Sequence, residues 1–217
     1  MTSGHVVGWY PTGSSFGDVC VEIEHNGERT TFRLDSATAE RLGIATGIEL
    51  DDDTLAAIER RHRTIALVGR LHRFLSYRLR SSAEVIERLR RAGANADDIR
   101  DAMEFLGIHG FIDDERFARA FVRDHVRFRS LSAAAIRRKL IAKGVAADIA
   151  ERVLRQEYPH GDEFARALAA ARAALRRSAS LSPEKRYRRI RDHLIRRGYS
   201  SSVVRHVLRS LATSEES

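Results

Sequence analysis

Three glycines constrain this chain more than any other feature. Gly93, Gly144 and Gly198 each close a basic amphipathic stretch, with Leu89, Leu140 or Leu194 four places earlier and Val85, Ile136 or Ile190 eight places earlier. After each glycine the apolar spacing recurs, as Ile99 and Met103, Ile149 and Val153, and Val203 and Val207, with one extra residue in the first connection. Before the glycines stand further helical stripes: Leu67, Leu71 and Phe74; Phe117 and Phe121; Phe164 and Leu168. The glycine spacings of 51 and 54 therefore mark three helix triplets in tandem. A triplet of about 50 residues buries too little surface to stand comfortably alone, so neighbours should stack into an elongated, curved body. Each glycine falls where a helix end needs a left-handed residue. Arg90, Arg91, Lys143, Arg196 and Arg197 in the last turns complement the helix dipole whatever else they do.

The first 63 residues follow another rule. Val19, Val21 and Ile23 alternate with Cys20, Glu22 and Glu24; Asn26-Gly27 supplies a two-residue hairpin turn; Thr30, Phe32 and Leu34 resume the alternation. Val6 to Tyr10 reads as a third strand. The turn-rich stretch from Pro11 to Gly17 lacks the Gly-Lys-Ser/Thr ending of a phosphate loop and reads as a strand connection, which removes the main support for nucleotide hydrolysis. Asp35-Ser36 caps a short helix through Leu42, and Asp51 to Asp53 precede another helix beginning near Thr54. The expected fold is thus mainly α: a small acidic β-containing module over residues 1–63, three-helix repeats over 64–112, 113–160 and 161–213, and a disordered tail over 214–217.

The formal charge of +8 is unevenly spread. Residues 1–63 carry 6 basic against 11 acidic side chains, and residues 64–217 carry 32 against 19. A basic region of that size attracts polyanions, with nucleic acid the leading class because counterion release drives such binding. Only Lys139, Lys143 and Lys185 are lysines, and so strong an arginine bias also arises from genome base composition alone. With 43% hydrophobic and 31% charged residues, no apolar run approaching a membrane span and no signal-peptide layout, the chain reads as a soluble protein of the cytoplasm. Its single cysteine, Cys20, excludes an internal disulfide.

No constellation for catalysis or metal binding emerges. Asp113, Asp114 and Glu115 read as a helix start because the Phe117 and Phe121 stripe follows at once. The nine histidines show no zinc spacing, and no nucleophile has a nearby base. Phe117, Phe121, Phe128 and Phe164 are candidates for base stacking, but helical spacing assigns Phe117, Phe121 and Phe164 to the core. Two basic groups remain as a candidate binding face: Arg137, Arg138, Lys139 and Lys143 in the middle helix of the second triplet, and Arg186, Arg188, Arg189, Arg191, Arg196 and Arg197 in the equivalent helix of the third. Residues 161–213 hold 13 basic against 4 acidic side chains, whereas a merely solvated face carries mixed charge.

The stretch from Gly110 through Phe111-Ile112-Asp113-Asp114-Glu115-Arg116-Phe117 to Asp124 resembles the signature joining the first and second repeats of the RecX family. Phe74-Leu75-Ser76-Tyr77-Arg78 with Ser81-Ser82-Ala83-Glu84-Val85 is similar to the family's first repeat, and Leu194-Ile195-Arg196-Arg197-Gly198-Tyr199-Ser200 to the close of its third. The likeness spans about residues 64–212. One departure is visible: where the family often has a Gly-Pro turn, this chain has Arg129-Ser130-Leu131-Ser132, and Ser130 or Ser132 can cap the next helix instead. The resemblance implies a cytoplasmic, non-enzymatic, monomeric regulator of homologous recombination, DNA repair and the SOS response, without a cofactor or membrane partner. Such a protein binds RecA and lies in the groove of its filament on single-stranded DNA, suppressing filament extension, ATP hydrolysis and strand exchange; some members also bind DNA directly, double-stranded DNA included. Two rival classes are a sequence-specific helix-turn-helix transcription regulator and a helical adaptor that never touches DNA.

Overall fold

The computed structural model describes residues 4–12, 18–158, 163–178 and 180–215, so most of the connection expected at 11–17 and the last two residues of the expected tail lie outside the described residues. Its contacts divide the chain into two units, residues 1–79 with 85–112, and residues 80–84 with 113–217.

The first unit begins with an antiparallel sheet in the order β3-β2-β1-β4, built from β1 (Gly4–Pro11), β2 (Asp18–His25), β3 (Glu28–Asp35) and the short β4 (Glu49–Leu50). The hairpin turns where the Asn26-Gly27 pair demands it. Both residues are left-handed, at φ 51° and 79°, and His25 pairs with Glu28 across them. Period-two alternation then sends Val19, Val21 and Ile23 inward with Val6, Leu34 and Leu50. Trp9, opposite Val21 on β1, stays half-exposed at 50%.

Asp35 ends β3 and caps α1 (Ser36–Arg41), accepting from the Thr38 amide at 3.1 Å, while its other oxygen receives the Arg61 guanidinium at 2.5 Å. Asp51 caps α2 (Asp52–Tyr77), a single helix of 26 residues. That length corrects the reading of a short helix near Thr54 followed by a separate repeat from residue 64, since α2 runs unbroken through that boundary. No glycine or proline interrupts the segment 51–68, and its apolar residues suit two cores in succession. Ile58 closes the core of the sheet, and Ile65, Val68 and Leu71 pack with Val85 and Leu89 of α3 (Ser82–Arg91) and with Ala102, Phe105 and Leu106 of α4 (Ala96–Ile108).

The second unit holds α5 (Asp114–Asp124), a π-helical turn (His125–Arg129), α6 (Ala133–Ala142), α7 (Ala147–Glu157), α8 (Glu163–Arg176), α9 (Pro183–Arg196) and α10 (Ser201–Glu215), together with the start of α3. Asp113 caps α5 by accepting from the Glu115 and Arg116 amides, as the acidic run leads one to expect. Ser132, not Ser130, caps α6; Ser130 instead adopts the left-handed conformation at φ 47° that ends the π turn. In the third triplet, Ala167, Ala170, Ala171 and Ala174 of α8 bring the helices close around Ile190, Leu194, Tyr199, Val204, Val207 and Leu211. α10 continues to Glu215, beyond the point where the sequence suggests a tail.

All three anchor glycines are left-handed, at φ 82°, 79° and 82°. Two of them do more than end a helix. The Ser132 hydroxyl donates to the Gly198 carbonyl at 2.7 Å, and the Ser132 amide donates to the Arg197 carbonyl at 3.1 Å. In the same way, the Ser81 hydroxyl donates to the Lys143 carbonyl at 2.7 Å. A Cβ on Gly198 would stand 2.6 Å from the Ala135 methyl, and one on Gly144 would collide with the Ala83 methyl, whereas Gly93 faces open space.

Two outcomes follow for stability. Gly93→Ala should cost about 1–2 kcal/mol for the left-handed backbone alone, and Gly144→Ala and Gly198→Ala should each lose about 1–3 kcal/mol more from overpacking. Urea melts of the three variants test this ranking. The Asp35 carboxyl is pushed up by burial, but hydrogen bonds from Arg61 and Thr38 prevail and hold it at about 2. Because its folded value lies below the unfolded one, its contribution of roughly 2 kcal/mol is present above about pH 4 and disappears as pH falls through about 2. Arg61→Gln should therefore destabilise the protein at pH 7 and much less near pH 2, as read from urea melts at the two pH values.

Candidate nucleic-acid interface

On α6 the Ser132 cap and the buried Ile136 and Leu140 turn Arg137, Arg138 and Lys139 to solvent. These cations differ in what holds them. Arg137 pairs with Glu151 of α7 at 2.8 Å, and Lys143, half-buried at the end of α6, pairs with Glu84 at 2.9 Å. Arg138 and Lys139 have no ion pair among the described residues. The Arg138 guanidinium lies against the α9–α10 turn, 3.1 Å from where a Cβ on Gly198 would stand.

The basic residues of α9 separate more sharply. With Ile190 and Leu194 fully buried, Lys185, Arg188, Arg189 and Arg196 recur along the opposite face and line, with Leu181 and Asp192, a shallow groove of about 370 Å³. Arg188, Arg189 and Arg196 are exposed and have no ion pair among the described residues. Arg191 is taken up by its neighbour Asp192 at 3.1 Å. Arg186 and Arg197 lie off this face and are half-buried: Arg186 donates to the Leu181 carbonyl at 3.3 Å, and Arg197 donates to His193 Nε2 at 2.8 Å. Burial lowers the Arg197 pKa, and it also holds the His193 imidazole below its ordinary value, reinforced by Arg197, Arg177, Arg196 and Arg189. Neutral His193 is thus the acceptor that seats Arg197. The ten basic positions singled out in the sequence are therefore not one surface, because several spend their charge inside the fold.

A further set of arginines lies outside both basic groups. Glu157 of α7 receives Arg123 at 2.7 Å and Arg119 at 3.0 Å from α5, while Glu115 receives Arg119 and, from α7, Arg152 at 3.0 Å. Hydrogen bonds from Arg123 hold the Glu157 carboxyl below its usual range, and those from Arg119 do the same for Glu115. This network ties α5 to α7. Apart from the i,i+4 pair Glu115–Arg119 within α5, its partners are 34 to 38 residues apart in sequence, so no local signal announces the link between the helices.

The π turn holds another exposed basic group, Arg127 and Arg129 around Phe128. An unbroken helix would return position 128 to the Phe121 stripe. A π turn, bonded over five residues, winds less per residue and leaves Phe128 exposed at 67%. Among the described residues, no group of histidine, cysteine and carboxylate side chains could hold a metal ion, and no helix is long and apolar enough to cross a membrane.

Models of the RecX family match each triplet in turn: the first three-helix domain over residues 71–106, the second over 113–154 and the third over 161–208. Regulatory protein RecX of Prosthecochloris aestuarii is 31% identical over 166 residues, covering 76% of this chain and 99% of the relative. That of Oceanobacillus iheyensis is 26% identical over 202 residues, covering 92% of this chain and 73% of the relative. Among solved structures, a regulatory protein RecX superposes with a TM-score of 0.72 at 20% identity, over 94% of this chain and 98% of that one. RecX from Lactobacillus salivarius gives 0.59 at 22% identity, over 70% and 97% respectively, so the likeness of fold includes the strand module in the first case.

The division among the arginines is testable by charge reversal. Arg188→Glu, Arg189→Glu and Arg196→Glu should each weaken DNA binding and flatten the slope of log affinity against log salt by about one unit, without changing thermal stability. Arg197→Glu should instead destabilise the fold by on the order of 1–3 kcal/mol, because a half-buried hydrogen-bonded cation is replaced by an unpaired anion. Unchanged affinity and salt slope in the triple variant would remove α9 as the DNA face.

Proposed function

From the premise that this chain belongs to the RecX family of regulatory proteins, we propose that it binds RecA and its filament on single-stranded DNA and suppresses filament extension, ATP hydrolysis and strand exchange. It acts in the cytoplasm as a monomer, by binding alone and with no chemistry of its own. The observation that carries this reading is the match of RecX three-helix domains to all three triplets in order. The exposed, unpaired Arg188, Arg189 and Arg196 support it further, since a filament groove offers acidic protein surface and phosphates side by side. Arg138 and Lys139 extend the same basic character to the second triplet, and duplex DNA is a weaker second ligand.

A helix-turn-helix transcription regulator is not favoured: it would prefer one duplex sequence by orders of magnitude, whereas the family matched over all three triplets is one of regulatory proteins named RecX. The deciding measurement is RecA ATPase on single-stranded DNA with this protein titrated in. The rate should fall with added protein whatever the DNA sequence, and the protein alone should hydrolyse no ATP. Intrinsic ATPase activity, or a RecA rate unmoved by a large excess, would sink the reading.

A further inference from the structure

The π turn between α5 and α6 carries an aromatic side chain that the fold does not use. Phe128 is exposed at 67% although the helix on one side and the Ser132 cap on the other are well anchored. The turn is held from within. His125 stacks on Phe121 with ring centroids 3.9 Å apart and donates from Nδ1 to the Phe121 carbonyl at 2.8 Å. At its far end the Tyr199 hydroxyl donates to the Ser130 carbonyl at 2.9 Å, and the Tyr158 hydroxyl reaches the Leu131 carbonyl at 3.3 Å. Ser130 takes the left-handed backbone otherwise left mostly to glycine. π turns and residues in strained backbone concentrate at functional positions.

The surroundings indicate what would cover it. The Arg127 guanidinium lies over the Phe128 ring at 5.1 Å, and the side chain remains mostly exposed. Arg127 and Arg129 have no ion pair among the described residues, and both are exposed. Lys139 of α6, also exposed, and Arg129 are close enough for their charge to act on the His125 ring; Asp124 is the carboxylate that acts on it. An aromatic face bracketed by unpaired cations is the pattern that binds single strands, in which bases stack on the ring and phosphates meet the cations. Duplex DNA offers no free base face, and an acidic protein surface gives an aromatic ring no comparable partner.

We infer that Phe128 is a stacking platform for an unpaired base of single-stranded nucleic acid, with Arg127, Arg129 and Lys139 engaging the flanking phosphates. This rests on the reading of the chain as a DNA-contacting RecX protein, and it adds a second contact, in the second triplet, to the basic face of α9.

The test uses the full chain without RecA, a fluorescent thymidine oligonucleotide and a duplex of the same length. Phe128→Ala should weaken single-strand binding about tenfold or more, in line with the loss of one stacked base. Duplex affinity and the melting curve should stay as in the parent. Phe128→Trp should restore binding, and in a Trp9→Phe background its emission should be quenched by the oligonucleotide. Arg127→Gln with Arg129→Gln should flatten the salt slope for the single strand. Parental single-strand affinity in Phe128→Ala overturns the inference and leaves the wider reading intact. Equal loss on single strand and duplex overturns it as well, and so does a loss confined to binding of anionic lipid vesicles. If the parent protein binds no single strand at all, the inference and the DNA contact of the wider reading fall together, while inhibition of RecA would still be judged by the ATPase assay.

Discussion

The second unit depends on a contact in which a serine at the start of one helix donates to the carbonyl that ends another. α6 is held this way at both ends. Its Ser132 receives the α9–α10 turn at Gly198, and the turn after its own C-terminus, at Lys143 and Gly144, receives Ser81. The ten residues of α6 separate the two contacts by about 15 Å. Each contact satisfies a carbonyl left over at a helix end and brings two backbones close enough that a methyl group does not fit. The glycine is thus required twice, once by its own left-handed backbone and once by its neighbour. Gly93 meets only the first requirement, since nothing crowds it.

What could be read from the sequence is what depends on near neighbours. The Asn26-Gly27 hairpin, the caps at Asp35, Asp51 and Asp113, the glycine turns and the Ile136–Leu140 and Ile190–Leu194 stripes all follow from residues within one or two turns of each other. The unbroken length of α2 was less legible, because a change from strand-like to helix-like company near residue 63 looks like a boundary, whereas one helix can serve two cores. β4, at two residues, is too short to leave any pattern.

The candidate face was legible as a composition but not as a surface. Counting arginines on α6 and α9 finds the charge, yet it cannot say that Arg137 meets Glu151, that Lys143 meets Glu84, or that Arg197 rests on His193. Those partners come from other helices or from the way one helix is rotated against its core. The same holds for the Glu115 and Glu157 network, which makes Arg119, Arg123 and Arg152 part of the frame. In a chain with 38 basic residues, a count alone does not separate the cations that tie helices together from those left facing solvent.

The position of Trp9 has an experimental consequence. It is the sole tryptophan, and it stands on β1 within the sheet module, far in sequence from the triplets. Its emission therefore monitors the strands, while dichroism in the far ultraviolet is dominated by the helices. A single heating ramp read at both signals separates the melting of the sheet from that of the helical body, and coincident curves would mean that the two lose structure as one cooperative whole.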